Sequence, residues 1–344
     1  MHISLYDVRM ALDVFTDPAE YSLDVETAVE ALKAVGEPTR LRILAILRHG
    51  ECSVTDLCEI LGQSQPRISR HLKLLVDAGI CSRHREGTFV YFGIERDGDR
   101  EAQRVALTEL VLAHLADDDP QLDADLARLG TVRERRSAAA DEHFAAMAAD
   151  WDLDTSRHVA NALIEPVLLD MLHLSPSDSL GDVLDVGTGT GRMVQLLASS
   201  ADRLVGIDTN TTMLRVARAN LDRAGVHHAE LRHGDLFAPP VEYERFDLVV
   251  IHQVLHYLDD PDRAISAIAK VLRRGGRALI VDLAPHHDES LRTEHAHRRL
   301  GFDDRQVRNW CDQVDLHVVN HQLITDTDAR RLAVQIWLAE KGSR

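Results

Sequence analysis

Val183-Leu184-Asp185-Val186-Gly187-Thr188-Gly189-Thr190-Gly191 decides the architecture of the larger half of the chain. Val183, Leu184 and Val186 read as a buried strand, three glycines follow at alternate positions, and residues 192–198 open a helix. Glycines at such a turn let the backbone approach a ligand closely and take φ values that other residues avoid. Seventeen residues beyond Gly191 a second apolar run ends in Gly206-Ile207-Asp208. A carboxylate there can accept hydrogen bonds from both hydroxyls of a ribose. Helix–strand packing alone can demand a glycine; strand, glycine turn, helix, strand and acid in this order mark a nucleoside pocket.

The surrounding texture agrees. Apolar runs at 183–186, 204–207, 248–251 and 278–281 alternate with helical segments, the pattern of βαβ units on a mostly parallel sheet. A dinucleotide turn is spaced Gly-x-Gly-x-x-Gly, so that a helix N-terminus meets a pyrophosphate. Here the spacing is Gly-x-Gly-x-Gly, and Asp185 sits two residues ahead of the first glycine, which suits a ligand with a cationic amino group. His233-Gly234-Asp235-Leu236 ends a third strand, Phe246-Asp247-Leu248-Val249-Val250 begins a fourth, and Leu272-Arg273-Arg274-Gly275-Gly276-Arg277 precedes a fifth.

These motifs, in this order, resemble the class I S-adenosylmethionine-dependent methyltransferases, in particular those of the ubiquinone/menaquinone-biosynthesis type. The resemblance implies an α/β Rossmann-like domain with a seven-stranded, mostly parallel sheet. Its last hairpin is antiparallel, with residues 318–324 and 332–338 as the arms. It also implies S-adenosylmethionine or S-adenosylhomocysteine as the cofactor. Asp185, Gly187, Thr188, Gly189 and Gly191 would surround the methionine moiety, Asp208 and Thr209 the ribose, Asp235 and Leu236 the adenine, and His252 would line the pocket. Met213 either packs on the adenine or fills the core. Glu142-His143-Phe144 with Asp150-Trp151-Asp152 resembles the segment that covers the cofactor, which makes Trp151 a lid candidate. Methyl transfer can run on alignment of donor and acceptor alone, so no catalytic residue is assigned. His252 and His256 nevertheless stand where a general base could act. His297-Arg298-Arg299-Leu300-Gly301-Phe302 resembles a signature of proteins that fuse this module to a DNA-binding one, and is expected to anchor the insertion after the fifth strand.

The N-terminal third has a different period. In Ser53-Val54-Thr55-Asp56-Leu57-Cys58-Glu59-Ile60-Leu61, the apolar Val54, Leu57, Ile60 and Leu61 recur at helical spacing until Gly62 ends the helix. Ser64 is an N-cap for the next, with Pro66 in its first turn. Ile68, Leu72 and Leu75 form that helix's buried stripe, leaving Arg67, Arg70, His71 and Lys73 to point elsewhere. Two short helices with a glycine at the bend make a helix-turn-helix. An alternating segment, 83–92, follows with Glu86-Gly87 at its turn, and reads as a hairpin wing. Between 60 and 85 five Lys and Arg residues face Asp77 alone, a local +4.

Ala31-Leu32, Gly36-Glu37-Pro38-Thr39-Arg40-Leu41-Arg42-Ile43-Leu44, Ser69-Arg70-His71-Leu72-Lys73 with Leu75, Ala78-Gly79 and the Gly87 wing resemble the ArsR/SmtB family of transcriptional regulators. The resemblance implies a homodimeric winged helix that binds operator DNA, with the helices flanking the motif at the dimer interface. Gln65, Arg67, Ser69, Arg70 and Lys73 are the candidate DNA contacts on the second helix, and Arg83 and Arg85 those on the wing. Metal-sensing members carry a Cys-x-Cys pair where this chain has Ser53 and Thr55. Cys52 and Cys58 lie six residues apart, a poor spacing for convergent thiolates, so no metal site is expected.

The whole chain of 344 residues has room for two domains at about 150 residues each. The expected division is a winged helix over 22–98, a helical connector, dimerisation element and cofactor lid over 99–160, and the methyltransferase-like domain over 161–344. The segment 97–150, polar and Ala-rich, reads as a helix, a bend at Asp117-Asp118-Asp119-Pro120 and a second helix: a connector and not a core. An apolar content of 45% excludes a wholly disordered chain. No run approaches the roughly 18 apolar residues of a membrane-spanning helix, and MHISLYDVRMALDVF lacks the basic start and apolar block of a secretory signal. Four cysteines without CxxC spacing fit a reducing cytoplasm. A net charge of −17 speaks against nucleic acid when read globally. Read locally, an acidic remainder keeps DNA away from every surface but the winged helix. The expected function is a DNA-binding regulator, read as a repressor, whose effector is the S-adenosyl nucleoside. The alternative is an active small-molecule methyltransferase with an autoregulatory DNA-binding domain.

Overall fold

The computed structural model describes residues 23–86, 89–95, 99–116, 118–155, 161–172, 179–294, 297–326 and 331–343. The chain forms two compact units, Met1–Arg135 and Arg136–Arg344.

In the first unit the described elements are α1 (Val25–Val35), α2 (Pro38–Leu47), β1 (Cys52–Ser53), α3 (Val54–Leu61), α4 (Gln65–Asp77), β2 (Cys81–Glu86), β3 (Phe89–Ile94), α5 (Asp99–Ala113) and the first half of α6 (Pro120–Thr155). The strands form a three-stranded antiparallel sheet in the order β1-β3-β2. Ser53 starts α3 with a reciprocal capping box to Asp56, and Gly62, at φ 64, ends it in a left-handed turn that other residues adopt only under strain. Ser64 does occupy the N-cap of α4, but its side chain makes no capping bond; Pro66 in the first turn leaves one fewer amide to satisfy. Ile68, Leu72 and Leu75 of α4 are buried against Ile43, Leu44, Leu57 and Ile60.

The structure corrects one expectation here. The helices read as a connector outside any core supply Leu112, Leu129 and Val132 to this one. Their apolar positions are too few, in an alanine- and charge-rich background, to show as an amphipathic stripe. The acidic run between them also starts a helix, because Asp119 accepts from the amides of Gln121 and Leu122 at 2.8 and 3.0 Å. The wing turn at Gly87 and Thr88 lies outside the described residues, as do the side chains of Glu142, His143, Phe144 and Trp151.

The second unit contains α7 (Asn161–Met171), β4 (Asp182–Val186), α8 (Arg192–Leu197), β5 (Arg203–Asp208), α9 (Thr211–Ala224), β6 (Ala229–His233), β7 (Phe246–His252), α10 (Pro261–Val271), β8 (Leu272–Leu283), α11 (Ser290–Glu294), α12 (Asp304–Asp312), β9 (Leu316–Ile324) and β10 (Val334–Lys341). Seven strands form one sheet in the order β6-β5-β4-β7-β8-β10-β9. The first five of that order run parallel, and β10 pairs antiparallel with both β8 and β9. Alternate residues of β4 face different cores: Val183 joins Ile164, Met193 and Leu214, while Leu184 joins Ile265, Ile268 and Trp337. A strand buried on both faces reads as an unbroken apolar run. The stretch from Leu272 to Arg277, expected to precede the fifth strand, is part of β8. Its glycines absorb a bulge, since Phe246 pairs with Leu272 but Leu248 already pairs with Arg277. From β4 the chain goes to β5 on one side and returns to β7 on the other, which opens a crevice at the carboxyl ends of β4 and β7.

Candidate functional site

On α4 the side chains of Gln65, Arg67, Ser69, Arg70 and Lys73 are all exposed, opposite the buried stripe. Among the described residues Arg67, Arg70, Lys73 and Arg83 take part in no ion pair. His71 leaves this row. Its Nδ1 lies 3.5 Å from Glu37 Oε2, and Glu37 in turn caps α2 by accepting from the Arg40 amide at 2.9 Å. Burial holds His71 below the ordinary histidine range, the guanidiniums of Arg40, Arg67 and Arg70 pushing the same way and Glu37 opposing. On the wing Arg83 and Arg85 are exposed and pair in register with Phe92 and Val90. Directly opposed residues share a sheet face, so both arginines stand on the side that packs against the core and α4. The other face carries His84, stacked on Tyr91 and 3.4 Å from Glu51.

The glycine turn of the second unit is closed by hydrogen bonds. The amides of Gly187 and Thr188 donate to the Ile207 carbonyl at 2.9 and 3.0 Å. Gly189 N donates to Asp208 Oδ2 at 2.9 Å, and Asn210 N to Oδ1 at 2.8 Å. Gly187 has φ 69, and a Cβ there would meet Val254 at 2.4 Å, so the loop after β7 rests directly on the turn. Thr188 Oγ1 donates to Asp185 Oδ2 at 2.6 Å; Asp185 is only 2% exposed, and its burial, opposed by Thr188 and reinforced by the charge of Asp208, pushes its carboxyl up to about 7. Burial also raises Asp208, against the amides of Asn210, Gly189 and Thr209. Two side chains hold the turn from outside. Arg192 is bidentate to Glu165 of α7, at 2.6 Å for each contact, and Asn220 Nδ2 donates to the Thr190 carbonyl at 3.0 Å.

The structure therefore brings Asp185, Gly187, Thr188, Gly189, Gly191 and Asp208 into one turn at the ends of β4 and β5. Thr209 is exposed beside it, and Met213, in the first turn of α9, is all but buried. Asp235 is exposed just past β6 and accepts from the Phe237 amide at 2.9 Å, while Leu236 is buried. His252 ends β7 on the other side of β4.

Sequence reasoning missed one cluster. His256 Nδ1 lies 2.7 Å from Asp282 Oδ1, both side chains are wholly buried, and the His297 ring centroid is 4.3 Å from that of His256. The amides of Arg298 and Arg299 donate to the His256 carbonyl at 2.8 and 3.0 Å, and that of Phe302 to Leu283 at 2.9 Å. The 297–302 segment thus fastens the insertion to the ends of β7 and β8. His256, expected where a base could act, is sealed from solvent in this arrangement. The available signal was Asp282, an acid inside the apolar run 278–283.

Among the described residues no three His, Cys, Asp or Glu side chains converge as a metal site, and no helix is long and apolar enough to cross a membrane.

Residues 37–83 match the family model for bacterial regulatory proteins of the arsR family, and residues 184–280 match the model for a methyltransferase domain. An HTH-type transcriptional regulator of Methanocaldococcus jannaschii is 42% identical over 77 residues, which is 22% of this chain and 86% of that protein. The chain belongs to the arsR family. The arsR-family match contains Gln65, Arg67, Ser69, Arg70, Lys73 and Arg83, with Arg85 just beyond it. The transcriptional repressor SdpR of Bacillus subtilis is 40% identical over 62 residues, 18% of this chain and 69% of that protein. A methyltransferase domain is fused behind the arsR-family part. There, a ubiquinone biosynthesis O-methyltransferase of Aromatoleum aromaticum is 30% identical over 142 residues, 40% of this chain and 59% of that protein. Over that domain the chain spans less than two thirds of this relative's length, and 40% of an uncharacterized B. subtilis methyltransferase that is 28% identical over 100 residues. The glycine turn, Asp208, Asp235 and His252 fall inside the methyltransferase match, whereas Asp282 and His297 fall outside it.

Proposed function

We propose that this arsR-family regulator is a cytoplasmic repressor that binds operator DNA as a homodimer. Residues 22–98 would read the DNA, 99–160 would connect and dimerise, and 161–344 would bind S-adenosylmethionine or S-adenosylhomocysteine as effector. The observation that carries the reading is the closed turn in which Gly189 and Asn210 hold Asp208 while Thr188 covers Asp185. It offers a ribose acceptor, and a buried acid for a cationic amino group, beside backbone bare enough for close approach. At Ser53, where a sensing cysteine would stand, the hydroxyl and the Asp56 carboxylate are engaged with each other in the capping box. With Ser53 and Thr55 in place of a cysteine pair, the input to the winged helix is assigned to the fused domain. Residues Gln65, Arg67, Ser69, Arg70 and Lys73 meet base edges and phosphates, with Arg83 and Arg85 on the backbone.

The homodimer reading rests on α1. Val25, Val29 and Leu32 are 82, 41 and 48% exposed at i, i+4 and i+7, and Leu110 of the adjacent α5 is 37% exposed. A contiguous apolar stripe of this kind fits a second copy of the same face.

An effector must bind two DNA-binding geometries with different affinity. Operator binding by the purified chain, with each nucleoside titrated in, tests this; unchanged affinity at saturating ligand overturns it. The rival reading, methyl transfer to a small molecule, draws on Tyr257, which is 39% exposed beside His256. Radiolabelled methyl transfer to small-molecule extracts distinguishes it.

A further inference from the structure

We infer that the start of α6 is a clamp that sets the bend of the helix-turn-helix, with Asp125 as its positioning residue. The inference rests on α4 reading operator DNA. It begins at the end of α3, where the last carbonyls of any helix lack an intrahelical donor. The amides of Gly62 and Gln63 both return to the Cys58 carbonyl. Further outward, after Glu59, come the carbonyls of Ile60 and Leu61. The first accepts from Arg128 Nε and the second from Arg42 Nη2 at 3.3 Å.

One carboxylate aims both guanidiniums. Asp125 is fully buried and accepts from Arg42 Nε at 2.6 Å, Arg42 Nη2 at 2.8 Å, Arg128 Nη2, and Gln121 Nε2 at 3.3 Å. Two cations at a helix C-terminus also have the favourable sign for its dipole. Further along α6, two more arginines hold other points of the motif. Arg135 Nη1 reaches both oxygens of Glu59 on α3 at 2.7 Å, and Arg133 Nη2 donates to the His49 carbonyl just past α2.

A buried ion cluster is a poor device for stability alone, because apolar residues of the same volume often serve as well or better. What ions and hydrogen bonds add is direction. Here they fix the carbonyl end of α3, and only Gly62, Gln63 and Ser64 separate that end from Gln65, the first residue of α4. The clamp therefore governs the angle at which α4 leaves the turn. Residues 120–135 lie outside the arsR-family match, so this third support is an addition to the matched motif.

The test uses the full chain and a duplex enriched from random sequence by the wild-type protein. Asp125→Asn should lower affinity for that duplex about tenfold or more, the size of a lost base contact. Binding to an unrelated duplex should stay within about twofold, since no charge on the DNA-facing side has changed. Amide exchange at residues 57–65 should quicken. Specific affinity kept within about twofold of wild type overturns the inference. Should Asp125→Asn fail to fold, the triple variant Arg42→Met, Asp125→Leu, Arg128→Met repacks the site without ions. A folded triple variant with lost specificity supports the clamp, and one with specificity restored overturns it. A wild-type chain that enriches no duplex overturns the DNA-reading assignment itself, and the clamp falls with it.

Discussion

His256 and Asp282 form a wholly buried pair, Nδ1 to Oδ1 at 2.7 Å, that joins the loop after β7 to the end of β8. Burial opposes ionisation of Asp282, but the charge and hydrogen bond of His256, with the Leu283 and His256 amides, hold its carboxyl below the ordinary 3.8. A depressed carboxylate adds stability above its unfolded value and loses it as pH falls through the folded one. Asp282→Asn should cost about 3–5 kcal/mol near neutral pH, the range for breaking a buried pair. Urea unfolding should show this deficit shrinking below about pH 4.

Asp185 has the opposite sign. Its folded carboxyl, pushed up to about 7, keeps a proton that the unfolded chain gives up near 3.8. Stability should fall as pH rises across that window, by about 4 kcal/mol at most, and Asp185→Asn should flatten the profile. An ammonium group on the ligand favours the ionised form, so S-adenosylhomocysteine should bind wild type more tightly at pH 8 than at pH 6. Calorimetry on the Asn variant should show that dependence lost.

Arg70 and Arg83 should fail differently. If Arg70 contacts a base, Arg70→Ala costs about 1–3 kcal/mol on the specific duplex and relaxes the sequence preference at one position. Arg83→Ala should weaken all duplexes alike and reduce the salt slope by about one. Competition binding at several salt concentrations separates the two.

The exposed stripe on α1 predicts the assembly. Val29→Asp with Leu32→Asp places charges on the apolar face, and sedimentation should show a shift from dimer to monomer. Far-ultraviolet circular dichroism should be unchanged, because both side chains are already exposed in the single chain.

Gly187→Ala inserts a Cβ at φ 69 within 2.4 Å of Val254. The turn or the loop after β7 must move, so S-adenosylhomocysteine affinity should fall by about tenfold or more. Binding to the enriched duplex without ligand should be retained, which fluorescence anisotropy would report.

Much of the fold was legible because its signals are local. The stop at Gly62 and the glycine turn after β4 each depend on residues within a few positions of one another, and strands buried on both faces announce themselves as apolar runs. The bulge at Gly275 and Gly276 was not legible, since a strand and a loop rich in arginine and glycine look alike until their pairing is known. The same holds for Leu129 and Val132, whose burial depends on a partner distant in the chain.

The order of parts is written locally: a basic helix-turn-helix with a wing, then a glycine turn and an acid on successive strands. Short-range sterics and hydrogen-bonding periodicity suffice for that. Which charges are surface and which are machinery depends on contacts between residues far apart in the chain. Arg42, Arg128 and Asp125 read as ordinary members of charged helices, and Asp282 as an oddity in a strand. Long-range packing removes the two acids from water, and a buried charge must find a partner there. Arg42 stands 83 residues from Asp125, and His256 stands 26 residues from Asp282. No local pattern encodes either meeting.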